Sequence, residues 1–149
     1  MSQRLTDDQA LLSEAELLAM PESEYMNARQ LAFFKARLGA LRAELQERAQ
    51  QARVMLQASD VLSDPNDRAS LEEEHRIEQR LLDRERKYLK KVEAALARIA
   101  EGSYGYCEET GEPIGLERLL VRPTVTLCLE AQQRHERLER TQLAGAHSP

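Results

Sequence analysis

Cys107-Glu-Glu-Thr110 and Cys128-Leu-Glu-Ala131 are laid out like the two halves of a four-cysteine metal site, in the pattern C-x2-T-x17-C-x2-A. The spacing is that of a zinc ribbon. Structural zinc, however, is closed by four sulfur or imidazole ligands, and threonine and alanine supply neither. Of the three histidines, His75 and His147 lie far from these positions in the chain, and only His135 could lean in as a third ligand. Three readings stay open. The cysteines are small buried remnants of a metal site, or zinc ligands helped by His135, or thiols with chemistry of their own, Cys128 being placed near a helix start.

Two further constellations stand out. Asp60, Asp64 and Asp67 flank the turn Asp64-Pro65-Asn66-Asp67. Capping accounts for much of this, with Asp64 as N-cap, Pro65 in the first turn and Asp67 near the positive helix end. A capped carboxylate still has acceptor capacity for a metal ion or a basic side chain. The other set is basic: Arg84, Lys87 and Lys91 recur at helical spacing and share a face, with Arg118 and Arg122 further along. Balanced by Asp83, Glu85 and Glu93, the face could be simply solvated. It could also supply charge-assisted donors to phosphate oxygens.

The elements that must position these residues are mainly helical. From Asn27 to about Ser59 apolar residues fall at Leu31, Phe34, Leu38, Leu41, Leu45, Ala52 and Met55, a heptad seam interrupted by Arg48. A second seam runs through Leu82, Leu89, Val92, Leu96 and Ile99, interrupted by Glu85. The break between them carries turn and helix-start residues, so the arms fold back as an antiparallel hairpin. This sets Leu45 near Leu82 and Leu38 near Leu89. About 33 residues per arm would span ~50 Å. The stretch Arg68–Arg80 is mostly polar, which predicts a solvated distal end. The expected organisation is an acidic segment over 1–26, a coiled-coil finger over 27–101 with its tip at 60–69, and a globular segment with a C-terminal helix over 102–149. Within 1–26, Ser13 with Glu16 and Thr6 with Gln9 fit capping boxes on short helical turns of a solvated tail. Leu119-Leu120-Val121 reads as a short strand, and the last helix as Leu127 to Leu143, ending before Gly145.

The chain of 149 residues carries net charge −5, concentrated in the first 24 residues, with 4% aromatic residues. The remainder balances in sign. A nucleic-acid binder usually shows a basic excess and stacking aromatics, so direct DNA or RNA binding is disfavoured. No long apolar run points to a membrane, and two cysteines in such a chain are expected to be cytosolic thiols.

Several blocks together resemble the DksA/TraR family of bacterial RNA polymerase regulators, most closely its DksA branch. They are Glu24-Tyr25-Met26-Asn27, Asp64-Pro65-Asn66-Asp67-Arg68-Ala69, Asp83-Arg84-Glu85-Arg86-Lys87 with Lys90-Lys91, and Tyr104-Gly105-Tyr106-Cys107 through Arg122-Pro123-Thr124 to Cys128. The resemblance implies a non-enzymatic, cytoplasmic and monomeric regulator whose hairpin enters the polymerase secondary channel. It would act with ppGpp on promoter complexes, repressing ribosomal RNA promoters and activating some amino-acid promoters. Asp64, Asp67 and Ala69 match the functional tip. Arg84, Lys87, Lys91, Arg118 and Arg122 match positions that contact polymerase or ppGpp. One cysteine per CxxC pair resembles the zinc-independent variant, with Cys107, Thr110, Cys128 and Ala131 as degenerate metal positions and no structural zinc. Such a variant could replace a zinc-containing paralogue when zinc is scarce. Gln132 stands where the family usually has lysine, which removes one phosphate partner. A Gre-like transcript-cleavage cofactor and a coiled-coil scaffold are the alternatives.

Overall fold

The computed structural model describes residues 11–62 and 68–146. Their elements are α1 (Glu14–Ala19), a 3-10 turn (Glu22–Glu24), α2 (Ala28–Leu62), α3 (Arg68–Glu101), α4 (Leu116–Val121) and α5 (Leu129–Ala146). Two compact units result: Lys35–Ala97, and the chain up to Phe34 together with the chain from Arg98.

The first of these units is the helical hairpin, built from most of α2 and α3. Leu38, Leu45, Val92 and Ala95 are buried in it, as the heptad seam requires. Towards the turn the packing thins: Val54, Met55, Ile77 and Leu81 are all more than half exposed. The two residues that interrupt the seams turn out to be partners. Arg48 Nη1 lies 3.6 Å from Glu85 Oε1, and Arg48 also pairs with Glu44 one turn back. The expected register, with Leu45 near Leu82, would instead bring Gln79 opposite Arg48. The difference arises because α2 runs on through Leu62 rather than ending near Ser59. The turn therefore centres later in the chain, and the partner of Arg48 moves six positions along α3, from Gln79 to Glu85.

In the other unit the described part of the N-terminal segment, from residue 11, is packed and not a solvated tail. Ser13 Oγ accepts from the Glu16 amide at 3.1 Å, and Glu16 Oε1 accepts from the Ser13 amide at 3.2 Å, so the capping box forms. This starts α1, which buries Leu17 and packs against α4, and Leu12 just ahead of the cap is buried too. The Thr6 box lies outside the described residues. Asn27 Oδ1 caps α2 by accepting from the Gln30 amide at 2.8 Å. At its other end α3 stops where Gly102 takes φ +84°, and the Ser103 amide returns to the Arg98 carbonyl at 3.0 Å.

The core of this unit is aromatic. Tyr104 is buried beside Phe34, with ring centroids 5.5 Å apart, and its hydroxyl donates to the Pro123 carbonyl at 2.7 Å. Burial pushes its phenol well up from the ordinary value. Tyr25 joins distant parts of the chain: its hydroxyl donates to the Gly105 carbonyl at 2.6 Å and accepts from the Gly115 amide at 3.0 Å. Gly105 has φ +91°, and a Cβ there would sit 2.8 Å from the Met26 side chain, so only glycine fits.

Leu119-Leu120-Val121 is helical, in α4. A strand would put Leu119 and Val121 on one face, yet Leu119 is fully buried and Val121 is 88% exposed. Among the described residues the ribbon-like segment keeps a single bridge, Tyr106 to Pro113. The last helix starts at Leu129 and continues through Gly145. Gly145 is exposed and has nothing within 4 Å of a would-be Cβ, so it costs helix propensity without breaking the ladder.

Candidate functional site

The degenerate metal positions form a compact turn. The Cys107 amide donates to the Glu112 carbonyl at 2.8 Å, and the Gly111 amide returns to the Cys107 carbonyl at 2.9 Å. Arg98 holds the turn from α3, its Nη2 donating to the Tyr106 carbonyl at 2.9 Å. Thr110 Oγ1 accepts from the Glu112 amide at 3.2 Å and lies 3.8 Å from Cys128 Sγ. Burial pushes the Cys107 thiol up. The Thr110 hydroxyl and the backbone amides of Cys128, Thr110 and Glu109 outweigh it and bring the thiol down to about 6.

These residues do not fit a four-coordinate zinc ion. Both cysteines are free thiols, Ala131 is fully buried with only a methyl group, and Thr110 is a neutral hydroxyl. His135, the one imidazole near in sequence, has its Nε2 paired with Glu109. Among the described residues no three His, Cys, Asp or Glu side chains are grouped to hold a metal.

The basic residues fall into two sets. Arg84, Lys87 and Lys91 line a groove of about 510 Å³ in the hairpin, with Leu41, Leu45 and Tyr88. All three are exposed, and among the described residues none has an ion pair, whereas Arg86 is bound to Asp83 at 3.6 Å. Exposed cations without internal partners are available to an anionic one. Arg118 and Arg122 belong to the other unit, where they line a groove of about 600 Å³ with Val121, Leu129 and Gln132. Arg118 is anchored by its Nε donating to the Leu127 carbonyl at 3.1 Å, while Arg122 is exposed. Gln132 thus shares the groove of the two arginines. Ala69 is exposed in the first turn of α3, and Asp64 and Asp67 lie outside the described residues.

Sequence reasoning missed the tyrosine network. Tyr25 was legible only as part of a motif, since nothing local links it to glycines 80 and 90 positions away. The arrangement of amides around Cys107 was likewise hidden, because it is made by backbone.

A long helical hairpin joined in sequence to a turn with half a zinc finger's ligands defines a class of small helical proteins with a degenerate zinc-finger segment. Residues 30–99 match the DnaK suppressor protein DksA, N-terminal domain, and residues 102–137 match the prokaryotic dksA/traR C4-type zinc finger. The chain belongs to the DksA family. It is 45% identical over 131 residues to the RNA polymerase-binding transcription factor DksA of Caulobacter vibrioides, covering 87% of this chain and 92% of that one. Against the protein of the same description from Escherichia coli K12 the identity is 41% over 126 residues, covering 84% and 83%. The structure of transcription factor DksA2 from Pseudomonas aeruginosa superimposes with TM-score 0.81 at 50% identity, covering 86% of this chain and 99% of that one.

Proposed function

We propose that this protein is a transcription factor that binds bacterial RNA polymerase directly, as its relatives are described to do, and that it works without zinc. Membership of the DksA family over both matched segments carries the reading. The working parts are residues 1–26, the finger 27–101 with its tip at 60–69, and the segment 102–149. In this reading the finger enters the secondary channel. Asp64, Asp67 and Ala69 act near the polymerase active site, where carboxylates can meet a metal ion or basic side chains. The exposed cations Arg84, Lys87 and Lys91, with Arg118 and Arg122, contact polymerase and the phosphates of ppGpp. Gln132, being neutral, makes the ppGpp response weaker than in relatives with lysine there. The protein acts as a cytoplasmic monomer and catalyses no reaction itself.

Zinc independence is supported by the donor set, in which buried Ala131 and neutral Thr110 leave two thiols. The Tyr25 and Tyr104 hydroxyls, together with buried Leu17 and Leu119, supply cohesion in place of a metal. The test is transcription from a ribosomal RNA promoter with purified polymerase and ppGpp, comparing the protein with Asp67→Asn in a strong zinc chelator. Repression by the parent alone is expected. A folded parent that leaves transcription unchanged would overturn the reading, and stimulated RNA cleavage would move it to a Gre-like role.

A further inference from the structure

We propose that Met20 is an oxidation site whose sulfoxide the fold accepts, so that a peroxide strengthens the junction between α1 and α2 instead of loosening it. Met20 follows the last residue of α1, and Gln30 lies in the first turn of α2. Gln30 is fully buried. Its Oε1 accepts from the Met26 amide at 2.8 Å, and this fixes which end of the side-chain amide is oxygen, because an N–H cannot donate to the NH2 end. Nε2 is then left with Met20 Sδ, at 3.6 Å, as its acceptor among the described residues. A side-chain amide nitrogen carries two donors, and a thioether is a weak acceptor. The buried donor is therefore poorly satisfied, which destabilises the folded chain.

Oxidation at Met20 supplies the missing acceptor. A sulfur lone pair attacks one oxygen of hydrogen peroxide, the S–O bond forms as the O–O bond breaks, and the other oxygen leaves as water after proton transfer. Sulfur gives up two electrons and the peroxide takes them. The new oxygen, a strong acceptor, sits on the atom that already faces Gln30 Nε2. Peroxide has a way in: Met20 is partly buried and lines, with Leu18, Pro21, Tyr25 and Gln30, an open groove of about 710 Å³. The other described methionines differ. Met26 is buried with its side chain close against Gly105, and Met55 is more than half exposed on the hairpin. A sulfoxide ordinarily disrupts the packing around a methionine. At Met20 it meets a donor that is already in place and ties the end of α1 to the start of α2. Neither Met20 nor Gln30 belongs to the proposed polymerase contacts, so the site is independent of that reading.

The test oxidises the full-length chain, carrying Met55→Leu, with hydrogen peroxide. Its thiols are capped beforehand as mixed disulfides and released afterwards with dithiothreitol. Peptide mass spectrometry locates the added oxygen, and near-ultraviolet circular dichroism follows melting. Oxygen is expected at Met20 well ahead of Met26, with Tm raised by about 4–8 °C, the shift of one net hydrogen bond in a unit of this size. With Met20→Leu added, peroxide should leave Tm unchanged. With Gln30→Glu added, which keeps an oxygen for the Met26 amide but has no N–H to donate, oxidation should lower Tm. Met20 oxidised no faster than buried Met26, a Tm unchanged or lowered by oxygen at Met20, or a rise shared by the Met20→Leu or Gln30→Glu chain would each overturn the proposal. The comparison of parent with Met20→Leu decides even if Gln30→Glu fails to fold.

Discussion

Replacing Tyr25 by phenylalanine tests whether protein contacts alone hold the metal-poor segment. The ring and its edge-to-face contact with Tyr106, at a centroid separation of 5.6 Å, are kept. Only the hydroxyl goes, and with it the bonds to the Gly105 carbonyl at 2.6 Å and from the Gly115 amide at 3.0 Å. A net hydrogen bond contributes about 0.5–1.5 kcal/mol, and a buried group left unmade costs about 1–3 kcal/mol. Gly105 is buried and cannot recover water readily, whereas Gly115 is partly exposed and can. The expected loss is therefore about 1–3 kcal/mol, on the order of 10 °C in Tm for a unit of this size. Near-ultraviolet circular dichroism is the right probe, because Tyr25, Tyr104 and Tyr106 all lie in this unit while Tyr88 alone lies in the hairpin. The measurement is made in chelator, with Tyr106→Phe as control, since that hydroxyl makes no hydrogen bond among the described residues. A Tyr25→Phe variant that melts with the wild type would refute the reasoning, and would leave a metal as the better explanation of what holds the segment.

Other outcomes follow from the same geometry. Gly105→Ala should be destabilising by about 1–3 kcal/mol in urea, since its φ of +91° and the Met26 side chain 2.8 Å from the new Cβ leave no relaxed position. Because the Cys107 thiol falls to about 6 in the folded chain, below the ~8.5 of an unfolded thiol, its contribution to stability is complete above the unfolded value. That contribution is lost as pH falls through about 6. Wild type should therefore gain stability relative to Cys107→Ser between pH ~6 and ~9, and its thiolate absorbance should titrate near the lower end; parallel stability curves would count against it. Arg48→Leu with Glu85→Leu should raise the hairpin's Tm by completing both seams, and a lower Tm would show that the pair sets the register.

Much of this molecule was open to reading along the chain. Periodic leucines determined that residues near 28–62 and 68–101 are long helices, because burial of one stripe is a local, repeating requirement. The Ser13 capping box was equally plain, since both its partners lie within one turn. The missing ligands at Thr110 and Ala131 excluded a four-cysteine site by chemistry alone. Where reading failed, a distant contact decided. Leu119-Leu120-Val121 has the composition of a strand, yet it is a helix that packs against α1, with Leu119 buried and Val121 outside. The solvated tail was a fair reading of its acidic charge, but Leu12 and Leu17 find an apolar face that the local sequence does not announce.

Sequence by itself thus determined the helical periods, the family blocks and the number of metal donors, each of which depends on residue type and short-range spacing. Tertiary structure decided that Arg48 meets Glu85, that Tyr25 joins Gly105 to Gly115, and that the Thr110 hydroxyl comes within 3.8 Å of Cys128 Sγ. These depend on where the chain turns and which surfaces are buried together. A shift in register changes such partners without altering any local pattern.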